Sequence, residues 1–107
     1  MTSSQDTIDY LIEQMSGAGV ITARKMFGEY GMYCDGKIIA LVCDDQFFLK
    51  PTAAARAYLG DGAEEAPPYP GAKMYLHISG EKWDDSEWLS ELIRVSMPEL
   101  PEPKKKK

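Results

Sequence analysis

Apolar residues recur at helical spacing at Ile8, Leu11, Ile12 and Met15, while Asp6, Asp9, Glu13 and Gln14 occupy the other side of the same stretch. That period predicts an amphipathic packing helix, capped by Ser3 or Ser4 and ended by Gly17 and Gly19. The pattern then changes to short apolar runs punctuated by turn residues, which is how strands read. Thr22 to Phe27 is the first of these, and Gly28 and Gly31 allow a bend or bulge around Glu29-Tyr30. Asp35-Gly36 suits a two-residue type I′ hairpin, because both positions must tolerate positive φ. Such a turn sets Cys34 opposite Lys37, Tyr33 opposite Ile38, Met32 opposite Ile39, Gly31 opposite Ala40 and Tyr30 opposite Leu41. Both faces of this pair are then apolar, which places it inside a sheet and covered at least partly on each side. Asp44-Asp45 makes the next turn, and Gln46 to Lys50 returns as a strand that Pro51 stops.

Farther along, Thr52 is a candidate N-cap for a short helix over Ala53 to Leu59, terminated by Gly60 and Gly62. Residues 61–72, with Glu64, Glu65, Pro67, Pro68 and Pro70, read as one long surface loop. Lys73 to Ser79 reads as a strand with Met74, Leu76 and Ile78 on one face and Tyr75 and His77 on the other. A last helix starts near Asp84 or Asp85 and runs to about Met97, its core face formed by Trp88, Leu89, Leu92, Ile93 and Ser96. The predicted fold class is α+β, in the order α-β-β-β-β-α-β-α, with one five-stranded antiparallel sheet and three helices packed on it. Residues 1–97 are expected to form a single domain, followed by a Pro/Lys-rich disordered tail over residues 98–107.

Three motifs carry a family likeness: the basic pair with MFGEYG over residues 24–31, the Tyr33-x-Asp35-Gly36-Lys37 hairpin, and the aromatic strand ending Phe48-Leu49-Lys50. Weaker matches follow at Tyr69, Met74-Tyr75 and Asp84. Together they resemble the N-terminal domain of the TfoX/Sxy family of bacterial competence regulators, over roughly residues 5–97. The resemblance implies a fold similar to type III secretion chaperones and a role in competence and transcription regulation. Full-length family members continue into a helical DNA-binding-like domain, whereas this chain ends in PELPEPKKKK. A stand-alone domain is therefore expected, without direct transcription-factor activity.

Charge sharpens this picture. The formal net charge is −5, and it falls to −9 once the four terminal lysines are set aside. An acidic body is poorly suited to neutralising phosphates, so direct nucleic-acid binding is not expected. Lys104 to Lys107, behind a run of prolines, reads as a solvated tail. The longest apolar stretch, Ile38 to Cys43, is far too short to cross a bilayer, and no secretory signal opens the chain. A cytoplasmic protein without membrane contact is expected. Cys34 and Cys43 lie near opposite ends of the proposed hairpin, about 20 Å apart, and are expected to be free thiols.

Reactive chemistry is sparse. His77 lacks the companions of a nucleophilic site, and the two cysteines and one histidine lack zinc-ligand spacing. Asp44-Asp45 and Asp84-Asp85 are accounted for by a turn and a helix cap, and Gly28-x-x-Gly31 is not a phosphate loop. No cofactor and no enzymatic activity are expected. The candidate interaction surface is Arg24, Lys25, Glu29, Tyr30 and Lys50, polar and aromatic groups expected to converge at one sheet edge and receive an acidic protein surface or small anion. The plainer alternative is that Arg24 and Lys25 solvate an edge strand while Tyr30 is core. The leading functional expectation is a non-enzymatic regulatory or protein-interaction module, touching the transcription machinery through protein contacts, with a symmetric homodimer compatible. The alternative is a small-ligand domain in which the 61–72 loop closes over a groove of Tyr30, Tyr69 and Tyr75.

Overall fold

The first helical pattern becomes α1 (Gln5–Met15), which buries Ile8, Leu11 and Met15. These details come from a computed structural model that describes residues 5–26, 29–68 and 70–100. Ser3, Ser4, Phe27, Gly28, Tyr69 and the lysine tail lie outside the described residues. After α1 the chain makes a 3₁₀ turn, Ser16–Ala18, and reverses at Gly19, where φ is +152°. A Cβ there would lie 2.8 Å from Asp35 Oδ2 and 3.0 Å from Cys34 Sγ, so the position requires glycine on both conformational and steric grounds.

Four strands follow: β1 (Ile21–Met26), β2 (Glu29–Cys34), β3 (Lys37–Cys43) and β4 (Gln46–Leu49). Asp35, Gly36, Asp44 and Asp45 all have positive φ, as the two-residue turns require. Next come α2 (Ala53–Leu59), β5 (Glu64–Ala66), β6 (Tyr75–Ile78) and α3 (Ser86–Ser96). The sheet is antiparallel throughout, in the order β1-β2-β3-β4-β6-β5. Among the described residues the α+β class and three α-helices stand as expected, with six strands instead of five.

Two differences from the sequence reading have clear causes. Part of the expected 61–72 loop is β5, a three-residue edge strand that pairs with β6 through its backbone. Its Glu64 and Glu65 give no apolar alternation to read, and such charges are how short edge strands avoid further pairing. In addition, the β2–β3 register holds at Cys34↔Lys37 and Tyr33↔Ile38 and then shifts at a bulge, giving Met32↔Ala40, Gly31↔Leu41 and Tyr30↔Val42. Ile39 is the extra residue, and it is buried beside Ala40. The bulge keeps Ile39, Ala40 and Val42 on one side of the sheet and turns Leu41 to the other.

One core cluster joins Ile8, Leu11 and Met15 of α1, Ala55 of α2 and Leu89, Leu92 and Ile93 of α3 to Met32, Ala40, Val42, Phe47, Leu49, Leu76 and Ile78 of the sheet. By strand alternation these sheet residues share one face, so the three helices cover the same side. Leu100 also enters this core at 5% exposure. The Glu99 carboxylate accepts from the amides of Ala53 and Ala54, both at 2.9 Å, so residues 98–100 are packed against the body where a tail had been expected to begin. The Thr52 hydroxyl accepts from Ala55 N at 3.0 Å and completes the α2 N-terminus. Thr52→Ala is expected to cost about 1 kcal/mol. The matching fall in Tm is about 5 °C, measurable by thermal denaturation.

Candidate interaction face

The three described α-helices lie on one side of the sheet and leave the other side free of them. Reading across the paired strands, Arg24, Gly31, Leu41, Phe48, His77 and Glu64 form one unbroken row over all six strands. Leu41 lies opposite Phe48 in the register, and Leu49 and Phe47 on either side of Phe48 belong to the helix-side core. The row therefore runs over the helix-free face. Thr22, Tyr33 and Ile38 share this face on β1 to β3, as do Tyr75 and Ala66 on β6 and β5. Leu41, Tyr33, Ile38, Tyr75 and His77 are half-buried, and Arg24 and Glu64 are exposed.

Phe48 and Cys43 are 4% and 6% exposed, yet both stand outside the main core cluster, as residues on this second face must. The Phe48 ring lies 5.2 Å from the His77 ring. His77 is further held by Gln46, whose Oε1 is 3.1 Å from Nε2, and by Glu64, whose Oε1 is 3.8 Å from Nδ1. A shallow cavity of about 500 Å³ lies here, lined by Gln46, Glu64, Glu65, Ala66 and His77. Burial pushes the Cys43 thiol up to about 11, with Glu29 adding to the effect, and burial likewise raises Cys34, helped by Asp35. Both cysteines are free and buried. Among the described residues no group of three or more His, Cys, Asp or Glu side chains is placed to hold a metal ion.

The five residues expected to form one site are divided between the faces. Arg24 and Glu29 lie on the helix-free side, and the Glu29 carboxylate accepts from Asp44 N at 3.2 Å. Lys25 pairs with Tyr30 on the helix side, where Tyr30 packs against the core and its hydroxyl donates to Gln5 Oε1 at 3.3 Å. Lys50 follows β4, three strands from β1, and its amide donates to Ile39 O at 2.8 Å. The cause is the two-residue period: neighbours such as Arg24 and Lys25 point to opposite sides of a strand. The expected aromatic groove is separated in the same way, with Tyr30 on the helix side and Tyr75 on the other, while Tyr69 lies outside the described residues. The sequence reading missed Leu41, Phe48, His77 and Glu64 as one row, because seeing it requires both the bulge and β5.

No helix among the described residues is long and apolar enough to cross a membrane. The chain is 34% identical over 98 residues to a Spirochaeta aurantia protein described as an uncharacterized 12.7 kDa protein in the trpE 5′ region, covering 92% of this chain and 84% of that protein. The sequence model of the TfoX N-terminal domain matches residues 13–100, from the second half of α1 to the buried Leu100. The chain belongs to the TfoX N-terminal domain family.

Proposed function

We propose that this domain is a non-enzymatic cytoplasmic module of competence and transcription control, and that it works by binding a protein through the helix-free face of its sheet. The observation that carries this reading is the half-buried aromatic and aliphatic strip of Tyr33, Ile38, Leu41 and Tyr75, laid around the almost covered Phe48 on a face free of the described helices and edged by Arg24, Gln46 and Glu64. An apolar, aromatic centre with a polar rim is the anatomy of a protein interface. Family membership supports the regulatory setting. The side chains give little support to covalent catalysis, since the ring nitrogens of His77 face Gln46 and Glu64, and both thiols are buried with raised pKa values.

The test is capture from nuclease-treated host lysate with tagged wild-type protein and a Leu41→Arg variant of unchanged circular dichroism. Wild type is expected to retain a protein on this face, either an untagged copy of the same chain or a component of the transcription machinery, and the variant to recover at least roughly tenfold less of it, because a charge at the centre of an apolar contact is left unpaired. Equal recovery by both proteins would remove this face from consideration.

A further inference from the structure

We infer that the protein seated on this face is a second copy of the same chain, related to the first by a twofold axis running parallel to the strands. The inference rests on the reading of the face as a protein-binding surface and adds the identity of the partner.

The central row is electrically polar: it begins at exposed Arg24, passes through Gly31, Leu41, Phe48 and His77, and ends at exposed Glu64. Its ends are about 24 Å apart, from five inter-strand steps of about 4.8 Å. A twofold parallel to the strands lays such a row on itself in reverse. Arg24 then meets the partner's Glu64 and Glu64 meets the partner's Arg24, while half-buried Leu41 lies over the strand position of the partner's Phe48, which its own chain already covers to 4% exposure, and buried Gly31 faces the partner's half-buried His77. In the neighbouring row, Tyr33 meets the partner's Tyr75. Opposite charges meet at both ends and apolar groups in the middle, as a self-complementary isologous contact requires.

Other symmetries are worse. A twofold running across the strands sets Arg24 on the partner's Arg24 and Glu64 on the partner's Glu64. An axis perpendicular to the sheet does not bring the two faces together. Sheets stacked about the strand-parallel axis keep their strands nearly aligned and about 10 Å apart, the common packing of two sheets. A face of this width, with strands about 15 Å long, buries roughly 1,000 Å² in total, at the low end for specific interfaces, so micromolar association is expected. The same charge polarity also permits head-to-tail pairing of the β5 edge on the β1 edge of another copy, which would give an open filament and not a closed dimer.

Sedimentation equilibrium of the full chain over a range of concentrations decides the matter, with Arg24→Glu, Glu64→Lys, the double variant and Leu41→Arg alongside. The expected result is a closed dimer. Each single charge reversal should weaken it by at least roughly tenfold, because symmetry makes each change act on two ion pairs. The double variant should restore association to within about threefold, because reversing both signs re-forms both pairs. Leu41→Arg should be monomeric. All substituted positions are exposed or half-buried, so the variants should fold. A monomer at about 1 mM, a mass that keeps rising with concentration, or a dimer indifferent to Leu41→Arg would each overturn the inference. A monomeric chain whose Leu41→Arg variant still loses its lysate partner would sink the second-copy identity alone. If the chain is monomeric and lysate capture is unchanged, the protein-binding reading falls with it.

Discussion

Phe47→Ala is expected to cost about 3–5 kcal/mol, a large share of the 5–15 kcal/mol available to a domain of this kind. Phe47 is fully buried, pairs with Val42 and Ile78 across the sheet, and meets the Trp83 ring edge-on at 6.3 Å. Removing its ring loses the transfer energy and leaves a cavity whose walls come from strands and helices at once, so collapse is limited. Phe48→Ala should cost less, about 1.5–3 kcal/mol, although Phe48 is 4% exposed, because Leu41 and His77 beside it are half-buried and water can enter the space that the lost ring leaves. That variant should instead weaken association, since its ring lies in the central row. Urea unfolding of the two variants separates the cases. Equal losses would mean that both faces enclose cores of similar closure, and the helix-free face would lose its standing as a binding surface.

This pair of neighbours also shows how far the sequence could be read. Both phenylalanines look alike in Gln46-Phe-Phe-Leu, and only the alternation against Ile78 and His77 tells which one faces the helices. Helices were legible because their caps and periods are local: Thr52 accepts from Ala55 N, and Asp85 accepts from Trp88 N at 3.0 Å. Both turns of β2–β3 and β3–β4 were legible for the same reason, as Asp-Gly and Asp-Asp tolerate positive φ. The bulge at Ile39 was not, because an apolar run such as Lys37-Ile-Ile-Ala-Leu-Val fits either register until the helices choose which residues to cover. β5 was hidden because its strand character lies in backbone pairing and not in its side chains.

The candidate site was harder to read than the fold. Arg24 was singled out from the sequence, but its expected companions Lys25 and Tyr30 turned to the other face, and Glu64 lies 40 positions further along the chain. A contact row perpendicular to the strands draws one residue from each strand, and sequence motifs run along strands. Family-like segments therefore identify the domain while saying little about which of its residues meet on a surface.

Stability should also fall between pH 9 and pH 11 through Cys43. Its folded-state pKa of about 11 stands above the ordinary thiol value of 9, chiefly because burial disfavours the thiolate and secondarily because of Glu29. The folded protein holds a proton that the unfolded chain releases in that range. The contribution is therefore whole below pH 9 and is lost as the pH climbs through 11, to at most roughly 2–3 kcal/mol for a shift of this size. Denaturation at pH 8 and pH 10.5 should show a larger drop for wild type than for Cys43→Ala, which removes the titrating group from the helix-free face while keeping a small apolar side chain. The matching kinetic expectation is that iodoacetamide modifies both cysteines rapidly in denaturant and slowly in the native state at pH 8, because a buried, protonated thiol is a poor nucleophile. If Cys43 is alkylated at the unfolded rate under native conditions, Phe48 and Cys43 are not sealed by their neighbours, and the face that carries them is open to water even without a partner.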